Sequence, residues 1–68
     1  MFKKNDIVRH TKSGNEYTII ATPDKLKIES TGEPAYAYGN NSVTWVRPQS
    51  EMDDGRFEYR GRSVGVEW

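Results

Sequence analysis

The run Ala35-Tyr36-Ala37-Tyr38-Gly39-Asn40-Asn41-Ser42-Val43-Thr44-Trp45-Val46-Arg47-Pro48 decides the fold. From Ala35 to Tyr38 small and large side chains alternate, so one side of a strand can pack closely while two tyrosines project together from the other. In the closing part Val43 and Trp45 share one face, and Thr44 and Val46 take the opposite one. Between the two lies a turn-forming cluster, Gly39 to Ser42. A period of two on both sides of a turn is the mark of β structure.

The same alternation of strand and turn extends in both directions. Turn clusters fall at Thr11 to Asn15, Thr22-Pro23-Asp24, Thr31 to Pro34, Asp53-Asp54-Gly55 and Arg60-Gly61. Their spacing of about 8–12 residues predicts a short-stranded sandwich or barrel. The strand-sized pieces between them are Asp6 to His10, Glu16 to Ala21, Lys25 to Ser30, Ala35 to Tyr38, Val43 to Arg47, Arg56 to Arg60 and Ser63 to Trp68. In Lys25-Leu26-Lys27-Ile28-Glu29 the two apolar residues face one way and the three charges the other, which predicts a half-buried strand. Tyr17, Ile19 and Ile20 break strict alternation and predict a bulge or a strand covered on both sides. No window carries apolar residues at helical spacing. The one exception is Pro48 to Asp53, where Ser50 stands three residues before Asp53 and predicts a single capped turn of 3₁₀ or α type, with Met52 plugging the end of a small barrel. Pro23 suits the first corner of a type I turn. The reading is all-β: one domain over residues 1–68, five to seven short antiparallel strands, and a strand-like C-terminal extension over 57–68 whose Trp68 docks.

Composition sets the energetics of such a chain. One Leu, four Ile, five Val and two Phe make up about 18% of its 68 residues, close to the ~20% level below which a highly charged chain stays disordered. Ten basic groups balance ten acidic ones, and eight aromatic residues add apolar area, so a folded but thinly cored domain is expected. Cysteine is absent, which excludes disulfides, thiolate catalysis and Cys-ligated zinc. A core of this size supplies only ~3–5 kcal/mol without a staple. Two routes to stability remain: dense aromatic packing, or self-association into a homodimer. No apolar run reaches the ~18 residues of a membrane span, and Met1-Phe2-Lys3-Lys4 enters no apolar segment of signal-peptide type. The expected setting is cytoplasmic, away from the membrane.

Arg9-His10-x-Lys12-x-Gly14-x-x-Tyr17, followed about thirty residues on by Trp45-Val46-Arg47-Pro48 and Met52, resembles a family of short bacterial and phage-encoded proteins of unknown function. The resemblance covers about Asp6 to Met52 and implies an SH3-like β-barrel in a phage or prophage accessory setting. It implies no catalytic residues. The chain departs from the family pattern at Thr22 to Glu33, where the family carries a longer charged segment, and from Phe57 to Trp68, which lies outside it.

Few residues invite chemistry. His10, the single histidine, is read as the end of the first strand, hydrogen-bonding a neighbouring loop; no cysteine or second histidine would help it hold a metal. Glu51, Asp53 and Asp54 form an acidic cluster beside Gly55 that turn formation explains. Ser13, His10 and Asp6 make a triad only on paper, without a nucleophile-elbow pattern. No enzyme, cofactor or metal site is therefore expected. A single-stranded nucleic-acid binder would use Tyr36, Tyr38, Trp45 and arginines as a stacking face, but zero net charge withholds the phosphate-binding surplus. Residues 1–34 carry six basic and five acidic groups, and residues 35–68 four and five. Tyr17, Trp45 and Phe57 are the expected core volume. Tyrosine and arginine are also enriched where proteins dock. The expected function is a non-enzymatic binding module that engages a host or phage protein through Tyr36, Tyr38, Arg47, Tyr59, Arg60 and Arg62. Nucleic-acid binding by the same face is the alternative.

Overall fold

A computed structural model describes residues 1–40 and 42–62. Five strands form one antiparallel sheet: β1 (Asp6–His10), β2 (Glu16–Ala21), β3 (Ala35–Gly39), β4 (Thr44–Pro48) and β5 (Phe57–Arg62), with a single helical turn α1 (Gln49–Met52) between the last two. The order across the sheet is β4-β3-β2-β1-β5. Four strands follow one another as a meander, and the fifth returns beside the first after α1. This is a small SH3-like all-β fold. No helix among the described residues is long and apolar enough to cross a membrane.

Two bulges bend the sheet. Between β2 and β3, Ile19 lies opposite Tyr38 and Ala21 opposite Ala37, so Ile20 is the extra residue and is left 43% exposed. The broken alternation at Tyr17 to Ile20 signals this bulge. Between β1 and β5, Ile7 faces Gly61 and Val8 faces Tyr59, which makes Arg60 the extra residue. Gly61 follows it at a φ of 141°, a region that favours glycine.

The interior is built from β3. All five of its residues are buried, with the alanines on one face and the tyrosines on the other. Val8, Ile19, Tyr36, Tyr38, Met52 and Phe57 form the core, with Phe2 and Tyr17 packed against it. Tyr38 meets Tyr17 and Phe57 edge to face at centroid distances of 5.2 and 5.3 Å, and Phe2 meets Tyr36 at 5.9 Å. Such pairs contribute about 0.5–1.5 kcal/mol each beyond their buried area. Met52 closes one end, fully buried. Pro23 takes the first corner of a turn closed by Lys25 N–H donating to Thr22 O at 3.0 Å.

Four expectations need correction. Tyr36 and Tyr38 project together, but inward: Tyr36 is fully enclosed and Tyr38 is 5% exposed. With one leucine in the chain, these rings supply the volume that aliphatic residues do not. Trp45, expected in the core, is 49% exposed on β4, which ends the sheet. The segment Lys25 to Ser30 is no strand; Ala35 N–H donates to Leu26 O and Ile28 N–H to Glu33 O, and a single bridge joins Lys27 to Pro34. The loop pairs with its own return arm, so β2 pairs directly with β3. Finally, α1 begins after Pro48, without a side-chain cap; Ser50 lies inside the turn. Phe57 to Arg62, the start of the expected C-terminal extension, is an integral strand beside β1. The strand expected at Ser63 to Trp68, with its docked Trp68, falls outside the described residues.

Two substitutions test this packing. A Cβ at Gly39 would run into the backbone carbonyl of Val43, so Gly39→Ala is expected to cost about 1–3 kcal/mol in urea unfolding. Tyr36 Oη accepts from Phe2 N–H at 3.1 Å and donates to Asp53 Oδ1 at 3.4 Å, so Tyr36→Phe should cost about 1–3 kcal/mol by orphaning a partly buried donor. Burial, reinforced by the Asp53 carboxylate and opposed by Phe2 N–H, raises the Tyr36 hydroxyl above its ordinary 10.0. Above that pH the unfolded chain ionises while the folded one does not. Stability is therefore full below pH 10 and falls above it, and Tyr36→Phe should flatten that alkaline fall.

Candidate functional site

The aromatic end of the core opens onto a groove of about 290 Å³, with Tyr17, Trp45 and Phe57 as its apolar walls and His10, Asn15 and Arg47 as its polar ones. Each side chain arrives for a local reason. His10 ends β1 opposite Phe57, and their rings lie 5.0 Å apart. Trp45 and Arg47 are two residues apart on β4 and so share a face. They stand opposite Tyr38 and Tyr36 on β3.

Arg47 is held from three sides. Its Nε donates to Tyr38 Oη at 3.2 Å, its Nη1 donates to Glu51 Oε1 at 3.1 Å, and its guanidinium lies 5.6 Å from the Phe57 ring centroid, within cation–π range. The Tyr38 hydrogen bond and then the Glu51 carboxylate raise its pKa, against the opposing effect of burial. Arg47 is therefore a fixed, permanent cation in the groove wall. Glu51 also takes Arg56 Nη1 at 3.3 Å, and Arg56 Nε reaches Asp54 at 3.1 Å. Two members of the acidic cluster, Glu51 and Asp54, are thus paired with arginines, and the third, Asp53, accepts from the Tyr36 hydroxyl.

His10 holds the turn after β1. Its Nδ1 accepts from Ser13 N–H at 3.3 Å and lies 2.9 Å from Ser13 Oγ. An accepting Nδ1 assigns the proton of the neutral ring to Nε2. Asp6 does not join them: buried at the other end of β1, its carboxylate accepts from Lys3 N–H at 2.8 Å. Ser13, His10 and Asp6 are not brought together. Among the described residues no buried side-chain nitrogen or oxygen lacks a partner, and no three metal-ligating side chains converge.

The six expected contact residues separate into four places. Arg47 and the enclosed Tyr38 belong to the groove. Tyr59, 58% exposed, and Arg62 flank a different depression with Phe2, Lys3 and Asp6. Arg60, on the face of β5 that carries Glu58, reaches Glu16 at 3.7 Å. Tyr36 reaches no surface. Burial thus corrects the expectation that Tyr36 and Tyr38 present their rings to a partner; only the Tyr38 hydroxyl acts there, through Arg47. Trp45, His10, Asn15, Tyr17 and Phe57 are groove residues that the contact set missed. The signal for Trp45 lay in the sequence: a strand carrying Val43 and Trp45 on one face and Val46 on the other has too much apolar surface for one side of so small a core.

The chain matches no family model, no curated protein and no solved structure.

Arg47→Ala should lower stability by about 1–2 kcal/mol, because it frees the Tyr38 hydroxyl while the half-exposed Glu51 pair adds little. Arg47→Lys should recover little of the loss, since an ammonium cannot reach Tyr38, Glu51 and the Phe57 face together. Chemical denaturation of both variants gives the answer.

Proposed function

We propose that this protein is a non-enzymatic binding module whose aromatic groove engages a protein partner. Trp45 carries the proposal: a tryptophan left half exposed, on the same face as a guanidinium already fixed by Tyr38, Glu51 and Phe57. Tryptophan and arginine dominate the energetics of protein contacts, and an arginine ordered before binding loses little entropy on docking. Asn15 and the His10 Nε2–H add polar groups that can read a peptide. The resemblance to short phage-encoded proteins suggests a host or phage protein as the partner, met in the cytoplasm.

Ion pairing disfavours a nucleic-acid ligand. Arg9 is paired with Glu58, Arg47 with Glu51, Arg56 with Glu51 and Asp54, and Arg60 with Glu16. Each would have to leave a carboxylate to meet a phosphate.

The test compares tagged wild-type chain with Trp45→Ala and, as a surface control, Lys25→Ala in capture from host lysate. Circular dichroism verifies that each variant is folded. Wild type and the control should retain the same partner, and Trp45→Ala should lose at least tenfold of it, a factor that corresponds to about 1.4 kcal/mol. Equal capture by Trp45→Ala would defeat the proposal. Fluorescence anisotropy with a labelled oligonucleotide tests the other ligand class; tight, salt-sensitive binding there would favour it instead.

A further inference from the structure

We propose that the outer edge of β4 pairs antiparallel with the same strand of a second copy, about a two-fold axis at Trp45. The hydrogen-bonding polarity of the strand sets the register. Asn40 N–H donates to Val43 O, and Gln49 N–H donates to Pro34 O. In an antiparallel pair, bonded and non-bonded residues alternate. Along β4, Trp45 and Arg47 therefore turn their backbone groups toward β3, while Thr44 and Val46 turn theirs outward. Pro48, which has no N–H, occupies the next outward position, where a proline costs the ladder nothing.

Among the described residues no strand covers this edge, and its one guard, Pro48, stands at the end of β4, leaving Thr44 to Arg47 open. Its one charge, Arg47, is neutralised by Glu51. Val43, Trp45 and Val46 are 43%, 49% and 57% exposed. The opposite edge, β5, is differently made: Glu58, Arg60 and Arg62 alternate along it, and a bulge with a positive-φ glycine twists it.

A second copy complements the β4 edge from Thr44 to Arg47. With the axis at Trp45, Thr44 faces Val46 of the other chain and the reverse, so four outward backbone groups on each side find partners. Trp45 meets its own twin in a non-bonded pair, the closer type, with Cα atoms about 4.5 Å apart. Arg47 lies opposite Val43, so its aliphatic stem can cover an exposed valine. The two arginines stay four positions apart, and no like charges meet. A five-residue strand covers less than the ~1,600 Å² of a standard interface, so the dimer should dissociate in the micromolar range.

Sedimentation equilibrium of the full chain, from micromolar to near-millimolar concentration, should show the mass rising from 7.8 kDa toward twice that value. Val46→Lys places a charge on the face away from the groove and should weaken association at least tenfold. It should also leave partner capture unchanged, which separates this proposal from the groove's function. Because the chain has no cysteine, oxidised single-cysteine variants report the register. Trp45→Cys should cross-link, whereas Thr44→Cys should not, its twin lying beyond the ~7 Å Cα limit of a disulfide. A mass fixed at one chain, a dimer indifferent to Val46→Lys, or cross-linking at Thr44→Cys in place of Trp45→Cys would each overturn the pairing.

Discussion

A tyrosine enclosed in a protein interior has to hand its hydroxyl to a partner, because an unpaired polar group there costs as much as several buried methylenes contribute. β3 encloses two. Tyr36 spends its hydroxyl on the Phe2 amide and the Asp53 carboxylate, tying the N-terminal segment and the end of α1 to the middle of the sheet. Tyr38 spends its hydroxyl on Arg47, which orients the one cation of the groove wall. The rings fill the core and the oxygens organise what surrounds it. Few aliphatic residues are then needed, and the site and the interior share one set of side chains.

That sharing explains where the sequence was legible. The spacing of turn-forming clusters located β1, β2 and β3 almost to the residue. The broken alternation at Tyr17, Ile19 and Ile20 pointed to a bulge or a doubly covered strand, and the register places the bulge at Ile20. Alternation misled at Leu26 and Ile28, whose spacing is that of a strand but whose backbone groups close on Glu33 and Pro34 instead. Side-chain period says which face is apolar; it does not say which segment supplies the neighbouring hydrogen bonds.

The site was less legible, for a different reason. Tyrosine and arginine at a protein surface and tyrosine in a core have the same sequence signature. Reading Tyr17, Trp45 and Phe57 as the core volume leaves Tyr36 and Tyr38 for the surface, although a single leucine in the chain argues for placing them inside. The interior holds both because Arg47, Asp53 and the Phe2 amide come within reach of their hydroxyls, and all three are distant in sequence. Tyr59, Arg60 and Arg62, close together in the chain, diverge because alternation puts Arg60 on the face opposite Tyr59 and the bulge there returns Arg62 to the face of Tyr59.

The interior also decides which edge of the sheet is left open. Once Tyr36, Tyr38, Phe57 and Met52 occupy the core, no volume remains for Trp45 or Val46, so the apolar residues of β4 must lie at the surface. Charge alternation and a twisted backbone can guard β5, because that strand contributes only Phe57 to the core. The face of β4 that carries Trp45 must instead stay flat enough for Arg47 to reach Phe57 and Tyr38. A lysine at Trp45 or an inward charge at Arg47's neighbours would guard the edge but disturb the lattice of contacts that fixes the guanidinium. The groove and the unguarded edge are therefore consequences of one choice, the use of tyrosine where larger domains use leucine.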